Sequence, residues 1–196
     1  MESIERLMPT FDDKKKNDVL TYLRQCGLSE PTIQTLLINN MIYADEDGNP
    51  IFIDRKRNVA EILMLSLEKK KDELTLFREI QSYHNGIDYY WQFGDTGGKI
   101  YICTTALDAL CLRELQREKG IYENEIYISL SGAKEELLER VLRTVKKECI
   151  LAINTDEFSE KMRERFPENK GKNFYHFRPE GINWGEDLRK TKGIYI

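Results

Sequence analysis

Short polar residues stand where apolar runs end in the second half of the chain, the position at which α/β proteins collect their chemistry. Ile100 to Cys103 runs into Thr104-Thr105 and then Asp108, and Cys149 to Ile153 runs into Asn154, Asp156 and Glu157. The carboxylates of Asp108, Asp156 and Glu157 are of the type that holds a hard divalent cation. They are equally the type that caps a helix or favours its positive end. Thr104 and Asn154 add neutral oxygens, able to hydrogen-bond a phosphate or simply to close a turn. Position 104 carries no acid, base or strong nucleophile. Both readings stay open for each of these residues.

Alternating strands and helices must position such a set. Ile100 to Cys103 reads as a buried strand, and Leu107, Leu110, Cys111 and Leu115 fall at helical spacing behind it, predicting a helix over 106–118. Thr104 or Thr105 is its natural N-cap. The pattern repeats as strand 125–130, helix 134–147, strand 149–153, a helix ending near Phe166 and strand 173–177. Strands and helices alternating at this length predict an α/β fold, a parallel sheet with flanking helices and right-handed crossovers.

The first half reads differently. Residues 12–26 and 29–41 predict two short helices, the first stopped by Gly27 and the second opened by Ser29 and Pro31. Met41 to Ala44 and Ile51 to Asp54 flank DEDGNP and predict a hairpin. Val59 to Leu67 and Leu74 to Ser82 are ambiguous; periodicity leans to helix, with strand open for each. Asn85-Gly86 reads as a turn and Tyr89 to Phe93 as an aromatic strand. Tyr89, Tyr90, Trp91 and Phe93 can stack bases or pack a core. A small α+β domain over 1–97 is therefore expected before the α/β domain over 98–196.

Composition narrows the function classes. The hydrophobic share of 40% and charged share of 33% are those of an ordinary globular protein. There is no 18-residue apolar run, so no membrane span is expected, and the first residues do not read as a secretory signal. Cys26, Cys103, Cys111 and Cys149 are widely spaced without a CxxC pair, which predicts buried free thiols and fits a reducing cytoplasm. His84 and His176 stand apart and support neither a metal site nor a triad. A net charge of −4 excludes a surface that grips nucleic acid everywhere. Residues 1–98 carry 12 basic and 17 acidic side chains, and residues 99–196 carry 18 and 17. Any nucleic-acid contact must use a local basic face. Candidates are Arg55-Lys56-Arg57, Lys69-Lys70-Lys71, and the group Arg163, Arg165, Lys170 and Lys172; a solvated surface is the usual explanation of each.

The order of IYICTTALDALCL (100–112), YISLSGA (127–133), ILAINTDEFS (150–159) and RPEGINWGEDL (178–188) resembles a Toprim domain of the bacterial mobile-element type. Upstream, YLRQCGLSEPTI (22–33), IYADEDGNPIFI (42–53) and NGIDYYWQFG (85–94) are similar to the DUF3991-like domain that accompanies it. Toprim domains act in topoisomerases, DnaG-type primases and certain nucleases. The resemblance implies a general acid/base Glu after the first strand and an Asp-x-Asp after the third that holds magnesium. Here Thr104 stands at the Glu, Asn154 at the first Asp, and Asn183 at an Asp before the last helix; Asp108 and Asp156 are retained. The implied metal ligands are thus Asp156 and Asp108, and a Mg²⁺ ion would be weakly held or absent.

The function implied is a degenerate Toprim-like protein of a plasmid, phage or conjugative element. It would bind or weakly cleave DNA or RNA by metal-dependent phosphoryl transfer. Asp156, Glu157, Asp108, Thr104 and Asn154 would form its site, and Arg163, Arg165, Lys170 and Lys172 its nucleic-acid contacts. An anti-CRISPR-type inhibitor of Cas9 or its guide RNA is the alternative, in which acidic Asp45, Glu46, Asp47 and Asp54 would enter a basic channel. An accessory subunit to a separately encoded relaxase or primase is a third.

Overall fold

The computed structural model describes residues 10–54, 59–70, 73–84, 90–94, 98–121, 125–132 and 134–194. Arg55-Lys56-Arg57, Lys71, the Asn85-Gly86 turn and Tyr89 lie outside the described residues.

A short 3-10 turn, Asp13–Lys15, leads into α1 (Lys16–Gln25), and α2 (Glu30–Ile38) follows with Pro31 in its first turn. The predicted hairpin forms β1 (Ile42–Ala44) and β2 (Pro50–Ile53), antiparallel with Tyr43 opposite Ile51. Its loop closes on Asp45, whose Oδ1 accepts the N–H groups of Asp47 and Asn49 at 3.0 and 2.7 Å. The two ambiguous segments are strands, against the helical lean of their periodicity. β3 (Val59–Lys70) and β4 (Glu73–His84) pair antiparallel over all twelve positions. An apolar run carries both periods at once, and pairing to β2 on one side and β4 on the other decides between them.

Beyond them, β5 (Trp91–Phe93), β6 (Lys99–Cys103), β7 (Ile126–Ser129), β8 (Glu148–Leu151) and β9 (Phe174–His176) build a second sheet in the order β5-β7-β6-β8-β9. β6 to β9 are parallel; β5 adds an antiparallel edge against β7. That edge strand precedes the expected boundary at residue 97 and yet belongs to the second sheet. Helices α3 (Ala106–Glu118), α4 (Glu135–Thr144), α5 (Glu157–Arg165) and α6 (Trp184–Thr191) alternate with the parallel strands as expected.

Successive residues of each strand face opposite sides. Ile100, Ile102, Ile126, Ile128, Cys149 and Leu151 pack under α4 and α5 with Leu138, Val141 and Met162. Tyr101, Cys103, Tyr127 and Ile150 face α3 and α6, and there the core is continuous with the first half through Val19, Leu23, Leu36 and Phe52. Leu107, Leu110 and Leu188 sit in that shared core at 2% exposure or less. The two halves therefore do not have separate cores on this face. All four cysteines are buried and none is in a disulfide, as their spacing predicts.

A polar seam reinforces the join. Glu114 of α3, 2% exposed, accepts from Ser29 Oγ at 3.0 Å and from Thr32 Oγ1, which open α2. Lys192 Nζ lies 3.8 Å from the same carboxylate.

Gly94 ends β5 at φ +86°, where a Cβ would stand 2.4 Å from the Glu125 carbonyl oxygen. Gly94→Ala is expected to lower unfolding free energy by about 2 kcal/mol or more, combining left-handed strain with backbone overlap. Gly120→Ala, at φ +77° in open space, has only the conformational cost of about 1 kcal/mol. Denaturant melts of the two variants check this; equal losses would show that Gly94 has no steric role.

Candidate functional site

The carboxyl ends of the parallel strands are stitched directly to one another. Ile102 O accepts from Ala152 N at 2.8 Å, Cys103 O from Leu130 N at 2.9 Å and Thr104 O from Gly132 N at 3.0 Å. Thr104, 8% exposed, also accepts the Asn154 N–H on its hydroxyl at 3.2 Å. The structure thus brings Thr104 and Asn154 together. The Asn154 Oδ1 atom is buried without a hydrogen-bond partner among the described residues.

Asp108 is held one turn into α3. Thr105 is the N-cap: its hydroxyl accepts from Asp108 N and donates to Asp108 Oδ2, both at 2.9 Å. Asp156 caps α5, with its two oxygens taking Ser159 N at 2.9 Å and Ser159 Oγ at 3.1 Å. Glu157 is exposed and pairs with Lys161 at 2.7 Å. Asn183 caps α6 through Glu186 N at 2.9 Å. Because α3 lies on one face of the sheet and α5 on the other, Asp108 and Asp156 flank the strand ends from opposite sides.

The basic group is divided. Arg163 is 3% exposed; its guanidinium donates to the carbonyls of Ile153 and Asn154 and pairs with Glu160 at 2.6 Å. Burial lowers its pKa, and the Glu160 charge opposes that effect. Arg165 ends α5, one nine-residue helix or about 13 Å from the strand ends, and pairs with Glu135 and Glu139. Lys170 and Lys172 are exposed on the 3-10 turn that enters β9. β9 runs parallel to β8, so these lysines lie at the opposite end of the sheet from Thr104 and Asn154.

Sequence reasoning missed the acid that reaches this corner. Glu61 of β3 is fully buried, and its carboxyl accepts Ala106 N at 2.8 Å and Ser129 Oγ at 2.6 Å. Ser129 Oγ in turn accepts the Ser131 N–H at 2.9 Å. A carboxyl from the first sheet thereby serves the helix and strand ends of the second. Burial, chiefly, raises its pKa to about 7; hydrogen bonding, from Ser129 first and then Ala106, acts against that rise and the nearby Asp108 charge adds to it. Burial also raises the neighbouring Cys103 thiol well above its ordinary value, with the Asp108 and Glu61 charges in support. The signal in sequence was an acid inside the apolar run VAEILML, with nothing to say what it faced.

These donors do not fit magnesium. A hard dication requires several uncommitted carboxylate or carbonyl oxygens, whereas both oxygens of Glu61 and of Asp156 already accept hydrogen bonds and one oxygen of Asp108 does. Among the described residues no three His, Cys, Asp or Glu side chains are grouped to hold a metal ion. What remains at the strand ends is a set of hydroxyls, amides and helix N-termini. No helix among the described residues is long and apolar enough to cross a membrane.

No family model and no curated protein matches the chain. Among solved structures, it is similar to the primase fragment of the bacteriophage T7 primase-helicase protein, with a TM-score of 0.51 at 15% identity over 86% of this chain and 67% of that one. A second similar chain comes from the bacteriophage T7 lagging-strand DNA polymerase interacting with primase domains bound to an RNA/DNA hybrid, at a TM-score of 0.47 and 14% identity over 85% of this chain and 82% of that one. The first likeness, together with the strand order and flanking helices, shows a Toprim-like α/β fold.

The folded state keeps a proton on Glu61 that an unfolded carboxyl, near 4.3, has lost. The stability this group allows is complete below about pH 4 and is lost as pH rises towards 7, by on the order of 3 kcal/mol. Glu61→Gln mimics the protonated acid, accepting from Ala106 and donating to Ser129. Its unfolding free energy is expected to exceed that of the parent at pH 8 and to match it near pH 4.5. Parallel curves for the two proteins from pH 4.5 to 8 would overturn the assignment.

Proposed function

We propose that the chain is a nucleic-acid-associated protein whose strand-end edge binds backbone phosphate without cleaving it. The observation that carries this reading is the state of the acids. Glu61, Asp108 and Asp156 are engaged in the protein's own hydrogen bonds, while Thr104 and Asn154 line the same edge. Neutral donors beside helix N-termini suit an anion that already carries its charge. The resemblance of fold to a primase fragment supports nucleic acid as the source of that anion, by analogy of fold.

On this reading Lys170 and Lys172 supply sequence-independent attraction from the far end of the sheet, and Arg163 positions the Asn154 backbone from inside. The mobile-element origin and the DUF3991-like first half belong to the same proposal, resting on the sequence resemblance.

Fluorescence anisotropy with single-stranded DNA and RNA tests it. Binding is expected at low salt and unchanged by EDTA, with labelled strands left intact in Mg²⁺ or Mn²⁺. Lys170→Glu with Lys172→Glu should weaken binding at least about tenfold and reduce the salt slope by about 1.4. Asp156→Ala should lower stability by about 1 kcal/mol through its lost cap and leave binding unaltered. Metal-dependent cleavage abolished by Asp156→Ala, or no binding to either strand, would overturn the proposal.

A further inference from the structure

The opposite face of the sheet from α4 and α5 is incompletely covered. Register places Tyr101 beside Ile150 and Ile150 beside Tyr175, one row across three parallel strands. Leu112 and Leu115 of α3 wall this row on one side and α6 on the other, leaving a cavity of about 610 Å³. That volume falls within the roughly 300–1,000 Å³ of small-molecule sites.

Its walls are aromatic. Tyr101 is backed by Tyr127 in a stack with ring centroids 5.3 Å apart. Phe177, 39% exposed, lies 4.8 Å from Trp184 and tilted to it by 36°. Trp184 is buried and its indole donor is engaged by Ala152 O at 2.7 Å, so the stacking surface open to a ligand is that of Phe177 and the half-buried Tyr175.

The charges at the mouth sort into engaged and available groups. Asp187 accepts the backbone N–H groups of Glu180 and Gly181 at 2.7 and 2.8 Å. Glu148 pairs with Lys99 at 3.7 Å, and Arg178 with Glu160 at 2.9 Å. Lys119 and Lys190, both exposed on the lining, face the cavity as cations, and Glu180 is a further acid of the lining.

We propose that this cavity binds a single nucleotide. Its base would lie against the aromatic walls, with its 5′-phosphate at Lys119 and Lys190 and Glu180 accepting from an exocyclic amino group. Aromatic faces bind any base by stacking, ammonium groups bind phosphate as point charges, and the carboxylate selects adenine, guanine or cytosine over uracil. The nucleotide can be free or the 5′-phosphorylated end of a strand. The cavity is on a sheet face, separate from the strand-end edge, and does not depend on the preceding proposal.

Titration of the full chain, followed by calorimetry and by tryptophan fluorescence, tests this. Saturable binding of 5′-AMP, 5′-GMP and 5′-CMP is expected, with 5′-UMP, adenosine and inorganic phosphate each about tenfold weaker or more. Lys119→Glu combined with Lys190→Glu should weaken 5′-AMP at least about tenfold while leaving the circular dichroism unchanged. Glu180→Gln should narrow the gap between 5′-CMP and 5′-UMP. A 5′-phosphorylated oligonucleotide that binds more tightly than 5′-AMP identifies a strand end as the source, and one that binds no better identifies the free nucleotide. Absence of saturable binding by all the amino-bearing mononucleotides, or affinity indifferent to the double lysine change, overturns the assignment.

Discussion

One carboxyl joins the two sheets at their most polar point. The first N–H groups of a helix have no partner within it, and burying one unpaired costs on the order of 1–3 kcal/mol. Thr105 satisfies the Asp108 N–H of α3, but Ala106 N–H is turned towards the first sheet, where Glu61 receives it. The same carboxyl receives Ser129, whose oxygen holds the turn at Ser131. Two sheets, a helix start and a strand end thus meet in a single hydrogen-bonded group. Such networks in a low-dielectric interior are strong when complete and costly when broken. The surrounding apolar contacts agree with it: Trp91 of β5 meets Phe52 of β2 edge to face, with ring centroids 6.1 Å apart.

The same engagement decides what the strand ends can do. A carboxylate acts as a metal ligand or base only with lone pairs to give, and here helix capping competes for them. Asp156 satisfies its own helix through Ser159, Asp108 is closed into a ring with Thr105, and Glu61 is sealed from solvent. A pKa near 7 would suit a general acid in an open cleft, but in a closed seam it makes the join sensitive to pH. On the proposed reading the groups that meet the phosphate are neutral, and neutral groups would recognise it without activating it.

Much of this was legible in the sequence because its signals are local. Helix 106–118, a cap at Thr104 or Thr105 and the alternation through β9 follow from periodicity and punctuation within a few residues. β3 and β4 were not legible, since a twelve-position pairing is decided by partners that periodicity cannot see. Glu61 escaped for the same reason: its partners are 45 and 68 residues away. The basic group shows a third limit. Arg163 and Arg165 are neighbours in sequence, yet helical phase buries one among backbone carbonyls and exposes the other. Lys170 and Lys172 follow the strand-end acids closely in sequence, while a returning helix carries them to the opposite end of the sheet.

The unequal covering of the two sheet faces has a geometric cause. Under α4 and α5, isoleucine and leucine side chains from β6, β7 and β8, with Phe174 of β9, meet the helices and fill the layer. On the other side α3 is drawn towards the first half by Glu114 and by its shared core, over β6 and β7. That leaves α6, eight residues and about 12 Å long, to cover β8 and β9. Trp184 and Leu188 anchor it against α3 and the shared core, with Leu188 close to Gly27. A helix fixed at that position cannot also roof the Tyr101–Ile150–Tyr175 row. The cavity is thus a consequence of the join between the halves: the contacts that unite the core displace the helices that would otherwise close the sheet.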